Sequence, residues 1–410
     1  MSSIWTSRSA LVWPSHSLAV TSGVALTPRG CSRILKNSRR YLQATAGWSR
    51  RASGWQIGAV PHTIADSLTG RTDSCVSQTL YYLVKVGLVA CTLFLSACTT
   101  MVAAPDRLEP GVLEVRRNNN VELYDEVQDR QVNFQVSWPA TDGPFPVIVF
   151  SHGAFCYPEQ YATVTDFWVS RGYVVILPNH LDSPNGPKMK GTDLLRMQSS
   201  RVRDMSFALD ALDEFEMKLP ELAGRIDHNL AVVAGHSFGG LITMMKSGLR
   251  YETVDGQPAG FADPRFRVAV VMSGVGEMPP TPGMTNQERM SEDPFGSLTG
   301  PLFASGGTLD EGNVGTGVIY PWQWRMSGYT ESPPGDKYSL VFENADHYLG
   351  GLICRDNRGG EADPEAARIV RAAQTAFLDA YIKQDAEALK WLKSTDYAAL
   401  TNGRADFEYK

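Results

Sequence analysis

Acidic residues are nearly absent from the first 97 residues of this 410-residue chain. That stretch holds ten Lys and Arg against two Asp and Glu, whereas the remainder holds 28 against 42, giving net charges of +8 and −14. Residues 1–79 also lack a sustained apolar period of 3.6 or 2, so they have no pattern for burying a core. We predict that 1–79 is an unstructured extension or one mis-assigned because the stated start codon lies too far upstream.

The leading segment also lacks an apolar run long enough for a membrane-spanning helix, which takes about 20 residues. Its apolar stretch, 86–95, follows Lys85 and ends in Leu-Ser-Ala-Cys at 95–98. A positive charge, a short apolar region and a small-residue cleavage site predict an export signal at 80–98. The last four residues resemble the lipobox of bacterial lipoproteins, which implies a lipidated Cys98, a tether at 99–119 and anchoring in the bacterial outer membrane. The alternative is a buried apolar helix with an unrelated cysteine.

Basic residues are in deficit from Cys98 onward, which argues against nucleic acid as a partner. Cysteines are also few there: Cys98, Cys156 and Cys354. About 310 residues can bury one large core or a core with a lid. We therefore expect a single folded unit in this part of the chain, outside the reducing cytosol if the export signal operates.

Short apolar runs rich in β-branched residues alternate with helical segments over 120–385, the predicted catalytic domain. The runs lie at 147–150, 173–177, 230–234, 268–271, 302–304 and 338–342. Such runs are typical of strands buried on both faces, whereas the alternation over 121–138 favours antiparallel edge strands. The pattern predicts an α/β fold with a mostly parallel central sheet, helices on both faces and ligands at the carboxyl ends of the strands. Residues 386–410 are predicted to be a C-terminal tail.

One strand-like run breaks into a glycine-flanked serine. The sequence Gly235-His236-Ser237-Phe238-Gly239 separates the run 230–234 from a helix-compatible segment. Flanking glycines suit a turn so tight that it lifts the serine hydroxyl clear of the backbone. Strand, turn and helix in this order predict that Ser237 is a nucleophile; a chance match in a surface turn is the alternative.

A serine nucleophile needs a base and an acid that orients the base. Of seven histidines only His347 follows Ser237 in the chain, and it lies in a loop after the run 338–342. Asp310, in the loop after 302–304, is the predicted acid, with Glu311 as the fallback; Asp346 is too close to the base. His152, His180 and His236 are interpreted as packed turn or rim histidines. We predict that the oxyanion is bound by the backbone N–H groups of Phe238 and Ala154.

These motifs carry a family resemblance over roughly 145–382. FPVIVFSHGAF, DFWVSRGYVVILPNH and IDHNLAVVAGHSFGG, with the late Asp and His, resemble the platelet-activating-factor acetylhydrolase and predicted dienelactone hydrolase branch of the α/β-hydrolases. Polyester hydrolases and chlorophyllases are relatives of that branch. The resemblance implies the α/β-hydrolase fold and carboxylic-ester hydrolysis by Ser237, Asp310 and His347, with no metal or organic cofactor. Dienelactone hydrolases proper use a cysteine at the position of Ser237, so their activity is not expected.

Two insertions are candidates for shaping a substrate pocket. Residues 274–300, rich in Pro and Met, suit a cap over an acyl chain, although a loop packed on the domain fits equally well. The second insertion, 313–336, carries Trp322 and Trp324, and a loop packed on the domain is the alternative there as well. These two residues and Phe155 are the candidate substrate contacts.

Cys156 and Cys354 are predicted to form a disulfide. Cys156 lies two residues after Ala154, and Cys354 lies seven residues after His347. Because both loops must converge on Ser237, the two thiols are expected to be neighbours in an oxidising compartment. Two free buried thiols are the alternative.

The expected activity is that of an exported, lipid-anchored serine esterase acting on a small-molecule or lipid ester. A lipase, a phospholipid acetylhydrolase or a polyester depolymerase with the same triad is the alternative among enzymes. A hydrolase-like envelope binding protein without turnover is the alternative of another class.

If Cys98 is the lipidation site, radiolabelled palmitate should enter the wild type and should not enter Cys98→Ser. Cys91→Ser, a change within the same apolar segment, is the control and should keep the label. A free N-terminus upstream of Cys98 with no lipid would contradict the anchor.

Overall fold

The computed structural model describes residues 106–186, 193–253, 255–278, 289–313, 317–354 and 360–410. The predicted extension 1–79, the export signal 80–98 with Cys98, and the first part of the tether lie outside these residues.

Nine strands form the main sheet of the described residues. They are β1 (Val115–Asp125), β2 (Arg130–Pro139), β3 (Phe145–Ser151), β4 (Val174–Asn179), β5 (Ile226–His236), β6 (Phe266–Met272), β7 (Leu302–Gly307), β8 (Lys337–Phe342) and β9 (Ala405–Tyr409). Their spatial order is β1-β2-β4-β3-β5-β6-β7-β8-β9. Tyr251–Glu252 pairs with Arg289–Met290, and Gly312–Asn313 with Ile319–Tyr320, in two small separate sheets.

Helices fill the connections between the strands. They are α1 (Ala162–Ser170), α2 (Asp193–Asp210), α3 (Leu212–Lys218), α4 (Phe238–Lys246), α5 (Ser327–Thr330), α6 (Pro364–Tyr381), α7 (Ala386–Ser394) and α8 (Tyr397–Leu400), with 3₁₀ helices at Pro158–Tyr161 and Trp322–Met326. Within the described ranges, none is both long and apolar enough to span a membrane. Helix α6 begins at Pro364, because the Asp363 side chain accepts a hydrogen bond from the Ala366 N–H and proline suits the first helical position.

The strands from β4 to β8 in the sheet run parallel, and the predicted edge strands are antiparallel. Parallel strands end at the same edge, so the loops after β3, β5, β7 and β8 all leave the sheet on one side. The pairing of Ser151 with Gly235 places the ends of β3 and β5 next to each other. The fold is therefore the predicted α/β-hydrolase architecture.

Successive side chains of the central strands point to opposite faces of the sheet, so the core has two layers. In β3, Val147 and Val149 pack in the layer with α2, α3 and α4, whereas Ile148 and Phe150 pack in the layer with α1 and α6. Successive side chains of a strand point to opposite faces, so a continuous apolar run supplies both layers. Burial on both faces explains why these runs show no apolar and polar alternation.

The C-terminal segment 386–410 differs from the predicted tail, because it completes the sheet. Strand β9 pairs antiparallel with β8, with Tyr409 opposite Tyr338. The Tyr397 ring is buried and lies 4.6 Å from the Phe407 ring. The domain also begins earlier than residue 120, since β1 starts at Val115. These elements are only nine, four and five residues long, and so short a pattern is weak evidence of packing, so they were not predicted.

The described parts of the insertion 274–300 pack on the domain. Val275, Phe295 and Leu298 are buried in the layer that contains α4. For these residues the structural-loop alternative holds and the cap interpretation does not. The central part, 279–288, lies outside the described residues.

Replacing Tyr397 tests whether the C-terminal segment is part of the core. Tyr397→Ala should lower the free energy of unfolding by about 3 kcal/mol, the usual cost of truncating a large buried aromatic side chain. Its buried hydroxyl has no hydrogen-bond partner among the described residues, so Tyr397→Phe is the control and should be neutral or slightly stabilising. Urea unfolding measures both variants. A free energy of unfolding of Tyr397→Ala equal to that of the wild type would show that the segment is not part of the core.

Candidate active site

Ser237 occupies a strained turn between β5 and α4. Its φ is +56°, a left-handed value that non-glycine residues rarely adopt. The flanking glycines are sterically required, because a Cβ at Gly235 would lie 2.3 Å from the Gly239 carbonyl oxygen, and one at Gly239 would lie 1.9 Å from the Ser151 carbonyl oxygen. The first turn of α4 therefore rests directly on the end of β3.

Ser237, His347 and Asp310 form a hydrogen-bonded chain. Ser237 Oγ lies 2.8 Å from His347 Nε2, and His347 Nδ1 lies 2.7 Å from Asp310 Oδ1. A carboxylate only accepts, so Nδ1–H donates to Asp310 and Nε2 is left to accept the serine O–H. The three predicted residues, spread over more than 100 positions, are thus brought together in the geometry of a nucleophile, a base and an orienting acid.

Asp310 is buried and is also held by a cation that the sequence did not reveal. Arg325 Nε donates to the same oxygen, Oδ1, at 3.0 Å. Burial by itself would raise the pKa of Asp310, but His347 and Arg325 outweigh it and lower the pKa to about 2. The acid therefore stays ionised across the physiological range. Arg325 lies in the Trp-rich insertion, where no spacing in the sequence relates it to Asp310.

The two other acids near the base have different surroundings. The Asp346 carboxylate accepts the backbone N–H groups of Tyr348, Gly350 and Gly360, and so shapes the loop that carries the base. Glu311 is exposed, and only its backbone carbonyl takes part in the described contacts, with Arg325. Neither replaces Asp310 beside the histidine ring.

The predicted oxyanion donors lie on the two backbone segments that touch. Phe238 is the first residue of α4, and first-turn N–H groups have no partner within their own helix. Ala154 follows the end of β3. A Cβ at Gly239 would meet the carbonyl oxygens of both Ser151 and His152, which shows how closely α4 approaches the segment that leads to Ala154.

His236 is fully buried and joins the oxyanion loop, which follows β3 at 152–157, to the base loop, which follows β8 and carries His347. Its Nε2 lies 2.9 Å from the His347 carbonyl oxygen, so Nε2 must donate and Nδ1 must accept. The Tyr161 hydroxyl then donates to His236 Nδ1 at 2.9 Å and accepts from the Gly153 N–H at 2.8 Å. The prediction of a packed turn histidine agrees with this position, but its connecting contacts were not predicted.

His152 and His180 are not at a pocket rim, because both are completely buried. His180 Nδ1 lies 2.8 Å from Asp204, and its Nε2 lies 2.9 Å from the Ser151 hydroxyl. Burial lowers the pKa of both histidines well below the usual value, so both are neutral. Burial also raises the pKa of Asp204 to about 6 against the opposing effect of Arg130. Asp204 is itself buried among these polar partners.

A disulfide joins Cys156 to Cys354, with the Cα atoms 5.3 Å apart. Cys156 belongs to the oxyanion loop and Cys354 to the loop after His347. The Cys354 N–H also donates to the Gln160 carbonyl oxygen at 3.4 Å. The two loops are therefore connected covalently as well as through His236.

The candidate substrate contacts have unequal access to solvent. Phe155 is 49% exposed beside Ala154, and Trp322 is half-buried. Trp324 is only 9% exposed; its indole N–H donates to the Glu277 carbonyl oxygen, and its ring stacks on Tyr320 at 4.6 Å. Its burial argues against direct substrate contact by Trp324.

The lowered pKa of Asp310 predicts a specific pH dependence of stability. The pKa is 3.8 for an unperturbed Asp and about 2 in the fold, so the ionised group contributes stability above pH 3.8 that is lost as the pH falls through 2. That difference corresponds to about 2 kcal/mol. The stability deficit of Asp310→Asn relative to wild type should therefore be about 2 kcal/mol larger at pH 6 than at pH 2 in urea unfolding.

Asp142→Asn changes a fully exposed aspartate and controls for the loss of one negative charge. A deficit of Asp310→Asn that is the same at both pH values would contradict the electrostatic assignment.

The comparisons with known proteins support the α/β-hydrolase superfamily. The model of a family described as Chlorophyllase matches residues 104–253. The match includes Ala154 and Ser237 and ends before Asp310 and His347. No curated protein matches the chain. That family is of the α/β-hydrolase type, so the match supports the α/β-hydrolase superfamily and points to hydrolysis of esters, while the branch within the superfamily stays a prediction.

Proposed function

We propose that the protein hydrolyses carboxylic esters through an acyl-enzyme on Ser237. The observation that carries the proposal is the hydrogen-bonded chain from Ser237 Oγ through His347 to the buried, ionised Asp310. A histidine with its Nε2 facing a serine hydroxyl and its Nδ1–H held by a carboxylate is arranged to take that proton. The α/β-hydrolase-type family match supports the same chemistry.

In the first half-reaction Ser237 Oγ attacks the ester carbonyl carbon while His347 Nε2 takes the hydroxyl proton. The C=O electron pair moves to the oxygen and gives a tetrahedral oxyanion. When the intermediate collapses, the C–O bond to the alcohol breaks, and His347 returns the proton to the leaving alkoxide. Asp310 accepts from Nδ1–H throughout and stabilises the imidazolium that forms.

The N–H groups of Phe238 and Ala154 are the proposed donors to the oxyanion. Both lie on backbone held by packing, so they need no reorganisation as the charge develops. The N-terminal end of α4 adds a favourable dipole at the same place.

In the second half-reaction water replaces the alcohol. His347 removes a proton from water, the hydroxide attacks the acyl carbon, and Ser237 regains its proton as the acid leaves. The chemistry uses side chains and water alone, so no metal or organic cofactor is part of the proposal. A lipase, a phospholipid acetylhydrolase and a polyester depolymerase would all use these steps, and they differ in the ester bound.

We further propose that the mature protein is exported and anchored to the membrane through a lipid on Cys98. The Cys156–Cys354 disulfide supports an oxidising compartment, because structural disulfides rarely persist in a reducing cytosol. The acidic mature chain supports a partner other than nucleic acid.

Substitution of the three residues tests the activity. Ser237→Ala, His347→Ala and Asp310→Asn should each lower kcat on p-nitrophenyl esters by about 10⁴-fold or more, and the losses should be far from additive. Ser247→Ala is the matched control, since its hydroxyl donates to the Thr243 carbonyl at the far end of α4. A series of acyl lengths in the wild type identifies the substrate class.

A fluorophosphonate probe separates the enzyme from a binding protein without turnover. The probe should label Ser237 in the wild type and leave Ser237→Ala unlabelled. An unlabelled, folded wild type that hydrolyses no ester would overturn the proposal in favour of the non-catalytic alternative.

A further inference from the structure

Arg201 is a buried cation directly beneath the oxyanion loop. It lies on α2 with no exposed surface. Its guanidinium donates to the carbonyl oxygens of His152 and Gly153, the latter at 3.1 Å, and reaches the Ser151 hydroxyl at 3.3 Å. The described contacts of this side chain are thus concentrated on the three residues that precede Ala154.

Asp182 balances the charge of Arg201 and holds the other end of the loop. Its carboxylate accepts from Arg201 Nε at 3.0 Å and from Nη2 at 2.7 Å. The same carboxylate accepts from the Phe155 N–H at 2.8 Å. The ion pair therefore binds the backbone on both sides of Ala154, the carbonyl groups before it and the N–H group after it.

The Gly153 carbonyl oxygen receives a second donor. The His180 N–H lies 3.2 Å from His152 Nε2, so Nε2 accepts and the proton of the neutral ring is on Nδ1. His152 Nδ1–H then donates to the Gly153 carbonyl oxygen at 2.8 Å. Two buried donors, Arg201 and His152, fix the direction of this one carbonyl group.

The direction of the Gly153 carbonyl decides the direction of the Ala154 N–H. In a planar trans peptide the C=O and the following N–H point in opposite directions. Holding the Gly153 oxygen on the Arg201 guanidinium therefore turns the Ala154 N–H away from Arg201. The guanidinium also lies 4.8 Å from the centre of the Phe238 ring, which belongs to the residue that supplies the other proposed donor.

We infer that Arg201, held by Asp182, is a positioning residue that orients the 153–154 peptide so that the Ala154 N–H can bind the oxyanion. The inference rests on the proposed function and adds a residue to it. Arg201 has no exposed surface, and its described contacts do not include Ser237, so it would act through the loop. A purely structural ion pair would need only Asp182, whereas this guanidinium also binds two loop carbonyls.

Kinetics of Arg201→Met and Asp182→Asn test the inference. Each should lower kcat on p-nitrophenyl butyrate, with the methionine variant lower by about 10²–10³-fold, the loss that follows removal of one oxyanion donor, and with KM changed less than about threefold. Phenylboronic acid, whose serine adduct is tetrahedral, should bind more weakly in proportion to the loss of kcat/KM. A structural defect would not produce that proportionality.

Arg203→Met is the matched control. Arg203 lies two residues further along α2, pairs with Asp125 and lies 5.5 Å from the centre of the Phe207 ring. Its replacement by methionine therefore removes an ion pair and a cation–π contact, as in Arg201→Met, but outside the site. Arg203→Met should lose stability in urea unfolding and keep kcat. If Arg201→Met does not fold, Asp182→Asn, which preserves the shape of the side chain, carries the test by the same two readouts.

An Arg201→Met or Asp182→Asn variant that folds and keeps kcat and boronate affinity within about threefold of wild type overturns the inference. The proposed function still stands in that case if Ser237→Ala is inactive. An inactive wild type that no fluorophosphonate labels instead overturns the proposed function, so the two failures are distinguishable.

Discussion

The contact between the Ser237 turn and the end of β3 is the constraint on which the rest of the site depends. Parallel pairing of β3 with β5 brings the two strand ends together, and Gly239 lets the backbones touch, because any side chain there would overlap the Ser151 carbonyl. The close approach places the segment after β3 and the first turn of α4 next to each other beside Ser237. The proposed nucleophile and the two proposed amide donors therefore come from the ends of neighbouring strands.

The same contact creates a need for buried polar partners. The carbonyl groups that follow β3 are shut away from water, and a buried carbonyl without a donor costs free energy. Arg201 meets that need, but a buried cation must in turn be paired, which Asp182 does. Burial and Arg201 together act on the pKa of Asp182, and the cation outweighs the burial and lowers it. The network under the oxyanion loop thus follows from the packing of the turn.

Sequence patterns predicted the parallel sheet and its order of elements, because continuous apolar runs report burial on both faces. They also singled out Ser237, Asp310 and His347, since each must follow a strand and only one histidine comes after the serine. Arg201, Asp182 and Arg325 gave no such signal. Their partners are set by contacts between distant elements, and a charge on an amphipathic helix such as α2 normally indicates solvent. The segment 386–410 was missed because its elements are short, nine, four and five residues, although Ala405, Phe407 and Tyr409 alternate with polar residues as a strand requires.

The base and the oxyanion donors come from strands that are not neighbours, so their relative position needs a separate cause. Two connections supply it, and both join the loop after β3 to the loop after β8. The disulfide links Cys156 to Cys354, and His236 links the Gly153 N–H, through Tyr161, to the His347 carbonyl. Because both end on the same pair of loops, a shift of the base would also shift the oxyanion loop. The proposed base and the proposed oxyanion donors are therefore positioned by one connected structure and not by two independent loops.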